Sequence, residues 1–282
     1  MKKYAIIGEY LAHSASPNIH MLAFHLHNIT ADYTKIEISG DSFATRIRKL
    51  KTNPHYAGFN VTIPYKCRIV PYLDQLHQTA QNTGAVNTIK SVEGKWIGYN
   101  TDVEGFLQPL KPFENNITNC LILGAGGAAR AVIYGLLHPD KQRSVTVCMR
   151  DESKGQKILQ DFVKFREKNE IELRVFAAAC DIYPDYDLIV NTTPIGMYPH
   201  VEESPLLLKK ELNKPLVIYD LIYNPPQTTF LKDAKNLKGS VTTISGVDML
   251  IGQAAESFKI WTGLEFPDSE ARQLLMNKLT VS

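Results

Sequence analysis

The sequence predicts an α/β protein built as two units. Strand-like and helix-like stretches alternate almost from end to end. Continuous apolar runs such as Asn119–Leu123, Leu188–Asn191 and Leu216–Asp220 have the character of parallel strands buried on both faces. The length, 282 residues, is enough for two domains of ordinary size.

The elements follow in order. Tyr4–Gly8 reads as a strand. Ser16-Pro17 then reads as an N-cap with proline at the first helical position, opening a helix to about Asn28. Tyr33–Ile38 is a second strand and Ser42–Leu50 a second helix. Gly58–Ile63 is a third strand, stopped by Pro64. Val86–Lys90 and Lys95–Tyr99 flank Glu93-Gly94, the pattern of a hairpin. A second unit begins near residue 104. Asn119–Leu123 leads through glycines into a helix over Ala128–Leu137. Ser144–Cys148 is a strand, and a polar helix runs from Glu152 to about Lys168. Ile171–Phe176, Leu188–Asn191, Leu216–Asp220 and Val241–Ile244 are further strands. Gly246–Thr262 and Asp268–Leu279 read as the last two helices, and no internal repeat is visible.

Composition narrows the function. Hydrophobic residues at 44% and charged residues at 21% are those of a globular protein, not of a disordered one. A net charge of +2 without a long basic block argues against nucleic-acid or membrane surfaces as partners. The apolar stretch after Lys2-Lys3 is too short for a signal peptide, and no run approaches the ~20 residues a membrane span needs. Cys67, Cys120, Cys148 and Cys180 are scattered without C-x-x-C pairing or nearby histidines. No metal site or disulfide is expected, and the compartment expected is the reducing cytoplasm.

The strongest chemical signal is Leu121-Ile122-Leu123-Gly124-Ala125-Gly126-Gly127-Ala128-Ala129, which fits G-x-G-x-x-A between a strand and a helix. Gly124 permits the tight turn, Gly126 lets the backbone approach a pyrophosphate, and Ala129 allows close helix–strand packing. The pyrophosphate then faces N–H groups at the positive end of the helix. After the second strand of this unit comes Met149-Arg150-Asp151, with Lys154 soon after. Arg150 and Lys154 suit the 2′-phosphate of NADP. Asp151 suits a ribose hydroxyl and repels that phosphate, so NADP (NADPH) is the cofactor expected and NAD stays possible.

The first unit carries polar residues near its strand ends, where α/β folds place ligands. His13-Ser14-Ala15-Ser16-Pro17 offers two hydroxyls beside a helix N-terminus, suited to a carboxylate. Asn60 and Thr62 share one face of a strand by period-two alternation, and Lys66 lies just beyond. Asn87 lies in Gly84–Thr88, and Asn100-Thr101-Asp102 ends the hairpin. Singly, each has an ordinary explanation as a cap, a turn or a solvated charge.

Together these stretches resemble the shikimate dehydrogenase family. The matching segments are His13–Pro17, Gly58–Lys66, Gly84–Thr88, Asn100–Asp102, Gly124–Arg130, Asn191–Met197, Asp220–Pro225, Met249–Ala255 and Trp261–Gly263, in the family's order along almost the whole chain. The resemblance implies a substrate-binding, catalytic domain over 1–103 and 246–282, with the terminal helices returning to the first domain. Residues 104–245 would form a Rossmann NADP-binding domain. It implies NADPH-dependent, reversible reduction of 3-dehydroshikimate to shikimate in the chorismate pathway of aromatic amino acid biosynthesis, by a monomer or homodimer. Lys66 and Asp102 would be the catalytic pair. Ser14 and Ser16 would bind the substrate carboxylate, and Asn60, Thr62, Asn87, Tyr223 and Gln253 its carboxylate or hydroxyls. Gly124, Ala125, Gly126, Gly127, Ala128, Ala129, Arg150, Lys154 and Thr192 would bind the cofactor, with Met249 near the nicotinamide.

Two positions depart from the family's pattern. Val103 follows Asp102 where glycine is usual, and Met149-Arg150-Asp151 stands where Asn-Arg-Thr or Asn-Arg-Ser is usual. The alternatives are a quinate/shikimate dehydrogenase using NAD, an aminoshikimate-type homologue, and a nucleotide-sensing homologue without catalysis.

Overall fold

The computed structural model describes residues 1–137, 142–165, 169–175, 185–208 and 211–279. Its elements begin with β1 (Lys2–Gly8), α1 (Ser16–Leu26), β2 (Ala31–Glu37), α2 (Phe43–Lys51), β3 (Tyr56–Val61), β4 (Gln75–Leu76), α3 (Gln78–Thr83), β5 (Thr88–Val92), β6 (Lys95–Tyr99) and α4 (Asp102–Leu107). They continue with β7 (Asn119–Leu123), α5 (Gly127–Leu137), β8 (Ser144–Met149), α6 (Glu152–Asp161), β9 (Glu170–Val175), β10 (Leu188–Asn191) and β11 (Leu216–Asp220). The last are α7 (Thr229–Lys235), β12 (Val241–Ser245), α8 (Gly246–Thr262) and α9 (Asp268–Leu279).

Two compact units result: Met1–Gly105 with Ile251–Ser282, and Phe106–Leu250. The boundaries lie inside α4 and α8, a few residues past the starts of the helices, where sequence alone suggested breaks at 103 and 246. A helix is one hydrogen-bonded rod, so its chain can leave one core and enter another partway along.

In the first unit the sheet order is β2-β1-β3-β5-β6-β4. β1 runs parallel to β2 and β3, and β5 runs antiparallel to β3 and β6. Asn60 pairs with Thr88 and Thr88 with Tyr99, so the end of β3, the start of β5 and the end of β6 meet at one edge of the sheet. The β5–β6 turn uses Glu93 at φ 50° and Gly94 at φ 78°, the left-handed pair that matches strand twist in a two-residue hairpin.

Period-two alternation separates the two faces of this sheet. Ala5, Ile7, Phe59 and Val61 join Phe43, Ile47, Tyr65 and Trp96 in one core. On the other face Tyr4 stacks on Phe24 and packs against Trp261 of α8. A side chain at Gly58 would collide with Trp261, whose Nε1 donates to Ile89 O at 3.0 Å. Burying each such large side chain contributes roughly 1.5–3 kcal/mol.

The second unit has the order β12-β11-β10-β7-β8-β9, parallel throughout. Numbered within the unit this is 6-5-4-1-2-3, the doubly wound arrangement whose chain reverses direction between β7 and β10. The polar helix expected to reach Lys168 ends at Asp161, and Val163–Phe165 form a 3₁₀ turn. Lys168, Phe176 and Cys180 lie outside the described residues. Cys67, Cys120 and Cys148 are thiols. Among the described residues no helix is long and apolar enough to cross a membrane, and no group of three or more His, Cys, Asp or Glu could hold a metal ion.

Candidate functional site

The polar edge of the first sheet gathers the expected residues of that unit. Lys66 Nζ donates to Asp102 Oδ2 at 2.5 Å. Their side chains are 14% and 4% exposed, so this ion pair is largely shielded from the screening that makes surface pairs weak. The other carboxylate oxygen, Oδ1, accepts from Asn87 Nδ2 at 2.8 Å, and the Asp102 backbone N–H donates to Asn100 Oδ1 at 3.2 Å. Asp102 is the first residue of α4, where the helix dipole favours a carboxylate. Val103 lies buried within the same helix, so a side chain stands where the family pattern has glycine without any need for a left-handed backbone. Gln253, from α8, reaches Asn87 Nδ2 with its Oε1 at 3.4 Å.

The loop carrying Ser14 is tied to β2: Lys35 Nζ donates to Ala12 O at 2.7 Å and Leu11 N–H to Glu37 Oε1 at 2.7 Å. Thr62 follows the last residue of β3 and is half-buried. One expectation changes. Ser16 is not the helix cap. Ala15 already has helical angles, so Ser16 enters the first turn and Pro17 takes the second position, with Ser16 buried. Asn60 is held by protein partners. Its Oδ1 accepts from Tyr33 Oη at 2.6 Å, and the two protons of its Nδ2 are shared among Asn87 O, Thr88 Oγ1 and Ser257 Oγ at 3.1–3.2 Å. At 4% exposure, Asn60 braces the residues around it. Burial holds the Tyr33 hydroxyl well above the usual tyrosine range, with the Ser16 hydrogen bond opposing, so Tyr33 is a neutral donor.

Tyr33, Thr88, Thr101 and Ser257 are site supports that motif reading missed. Ser257 does fall on a helical stripe with the buried Ala254, Phe258 and Trp261. A hydroxyl on such a stripe must find partners, and that was the available signal.

In the second unit, Gly124 has φ 112°, and a Cβ there would lie 2.6 Å from Thr192 Oγ1. Only glycine suits that turn. Its N–H donates to Cys148 O at 2.7 Å, while Thr192 N and Oγ1 both donate to Leu123 O. Around a Cβ at Gly126 no heavy atom lies within 4 Å, so the backbone is open to an approaching group. Gly127 opens α5, Ala125 and Ala128 are half-buried, and Ala129 is fully buried against the sheet. Gly124 and Thr192 thus follow β7 and β10, the two strands at the reversal of strand order, where open α/β sheets bind ligands. The turn fits a dinucleotide pyrophosphate.

At the end of β8, Arg150 is exposed. Asp151 caps α6, accepting from Ser153 N and Lys154 N, and Lys154 Nζ lies 3.5 Å from Asp151 Oδ2. Hydrogen bonds, Ser153 first, hold the Asp151 carboxyl below the usual range. Met249 is buried and Tyr223 half-buried. Tyr223 follows Asp220, which is fully buried and accepts from Thr228 Oγ1 at 2.6 Å, Asn191 Nδ2 at 3.0 Å and Ile222 N at 3.1 Å. Burial pushes its carboxyl up to about 6, against those bonds.

Residues 6–89 match the shikimate dehydrogenase substrate binding domain, and residues 246–276 the shikimate 5'-dehydrogenase C-terminal domain. A shikimate dehydrogenase (NADP(+)) of Nitrosopumilus maritimus is 39% identical over 98% of each chain. A crystal structure of a shikimate dehydrogenase in complex with NADP+ superposes with a TM-score of 0.86 at 35% identity, over 99% of this chain and 96% of that one. The Thermus thermophilus enzyme in complex with NADP(H) and shikimate gives 0.80 at 31% identity, covering 98% and 99%. A quinate dehydrogenase from Corynebacterium glutamicum in complex with NAD gives 0.83 at 28% identity, covering 98% and 99%.

Proposed function

Because the chain belongs to the shikimate dehydrogenase family, we propose that it is an NADP-dependent shikimate dehydrogenase interconverting 3-dehydroshikimate and shikimate. The observation that carries this reading is the largely buried Lys66–Asp102 pair, with Asn87 on the second carboxylate oxygen.

NADP, held at Gly124–Ala129 and Thr192, supplies the hydride chemistry when bound. The chain's own residues do the rest. Lys66 donates a proton to the ketone oxygen as charge develops there, and takes it back in the reverse direction. Asp102 holds the ammonium in place and keeps an acceptor beside the reacting hydroxyl. Ser14 and Ser16 receive the substrate carboxylate. Thr62, Asn87, Tyr223 and Gln253 hold its carboxylate or hydroxyls, with Asn60 bracing Asn87 from behind. Met249 lines the nicotinamide position. A cytoplasmic setting suits the thiols of Cys67, Cys120 and Cys148.

One observation favours a second reading. Asp151 puts a carboxylate beside Lys154, where a 2′-phosphate would need the cation, so NAD and quinate are the alternative pair of substrates. The test is absorbance of the reduced cofactor with shikimate or quinate supplied against NADP+ or NAD+. Turnover confined to shikimate with NADP+ supports the proposal. Preference for quinate with NAD+ replaces it, and cofactor binding without turnover would identify a nucleotide-sensing protein.

A further inference from the structure

Behind the Lys66–Asp102 pair lies a buried cluster of hydroxyls and amides that joins α8 to the sheet edge. Ser257 Oγ is 2.7 Å from Thr88 Oγ1, 3.1 Å from Thr101 Oγ1 and 3.2 Å from Asn60 Nδ2, and it donates to Gln253 O at 2.8 Å. Ser257 and Thr88 are fully buried and Thr101 is 2% exposed, so protein groups alone must satisfy them.

Counting protons narrows the directions. A serine hydroxyl has one proton, and the Gln253 carbonyl takes it. Ser257 Oγ therefore faces Thr88, Thr101 and Asn60 as an acceptor. Thr101 Oγ1 lies 3.1 Å from both Ser257 Oγ and Asn87 Oδ1; a proton drawn to Ser257 leaves lone pairs toward Asn87 Nδ2 at 2.8 Å. Thr101 N–H meanwhile donates to Asn87 Oδ1 at 2.8 Å. The Asn87 amide is thus held with Nδ2 on Asp102 Oδ1, leaving Oδ2 to Lys66. A reversed amide would set its oxygen against the carboxylate.

We propose that Ser257 is a positioning residue for the reaction, acting through Thr101 and Asn87 to orient the Asp102 carboxylate. This rests on the reading of Lys66 and Asp102 as the catalytic pair. Ser257 touches neither, and its hydroxyl enters the site only through the hydrogen-bond directions it imposes.

The experiment uses the full chain with Ser257→Ala and with Ser257→Cys, which retains a weak donor and acceptor. Removing the hydroxyl lowers kcat for shikimate oxidation about tenfold while KM for NADP+ stays within about twofold, and the cysteine variant falls between. Nitrogen-resolved NMR reads the second consequence: the Asn87 side-chain amide protons exchange at least about tenfold faster in Ser257→Ala. A lower melting temperature with kcat and Asn87 exchange both unchanged would make Ser257 a packing residue and overturn the proposal. So would a fall in kcat without faster Asn87 exchange. Should the unaltered chain fail to oxidise shikimate, the reaction assigned above is wrong, and the exchange rates alone decide whether Ser257 orients Asn87.

Discussion

The imidazole of His20 is fully buried, stacked on Tyr33 with ring centroids 4.9 Å apart and an interplanar angle of 9°, with Trp261 and Phe266 beside it. Neither ring nitrogen has a hydrogen-bond partner among the described residues, and burial lowers its pKa from 6.5 to about 3. Between those values the unfolded chain holds a proton on His20 that the folded chain refuses, so stability falls as pH falls. Dropping from about pH 7.5 to about pH 4.5 crosses roughly two units of that gap, a loss of about 3 kcal/mol from this group. Asp220 works in the opposite direction. Its folded pKa is raised to about 6 from 3.8, so the folded state takes up a proton first and gains roughly 2 kcal/mol over the same acid step.

His20→Leu separates the two. The variant loses the ring stacking equally at both pH values, while the histidine's acid penalty disappears. Urea unfolding followed by tryptophan fluorescence is the assay, because both tryptophans, Trp96 and Trp261, belong to the first unit, as His20 does. Relative to the parent, the variant should gain about 3 kcal/mol on going from the higher to the lower pH. A difference that stays constant within about half a kcal/mol would refute the reasoning, since His20 would then titrate alike in both states.

Lys66→Ala should lower kcat by ~10²-fold or more with a smaller effect on the KM for shikimate, measured by steady-state kinetics; a nearly unchanged kcat removes Lys66 from the chemistry. Gly124→Ala forces a methyl group against Thr192 at a left-handed φ, and should raise the KM for NADP+ at least about tenfold in the same assay. An unaltered value would mean that the turn does not hold the cofactor. Tyr33→Phe removes the donor to the buried Asn60 Oδ1, and should cost about 1–3 kcal/mol in denaturant unfolding.

Much of the second sheet was legible because β7, β10 and β11 are unbroken apolar runs, buried along nearly their whole length. The β5–β6 hairpin was legible from Glu93-Gly94, since few residue pairs accept two left-handed positions. Short polar elements were not. β4 has two residues, and α3, α4 and α7 have six or seven, too few to form without tertiary packing. The same division applies to the site. Lys66, Asn87 and Asp102 stand in recognisable local motifs. Tyr33 and Ser257 owe their roles to partners such as Asn60, which lies 197 residues from Ser257, and local periodicity carries no information about such a partner. The four internal partners of Asn60 likewise exist only once the strands and α8 have assembled.

The passage of α8 from one unit to the other sets the order in which a nascent chain can assemble. Residues 106–250 form an uninterrupted insertion, complete when the ribosome reaches residue 250. The flanking unit must then wait for its final helices, since Trp261 closes on Ile89 across 172 residues. A message cut short after that point would yield the nucleotide-holding half entire, and a catalytic half with Asn60 and Thr88 stripped of Ser257.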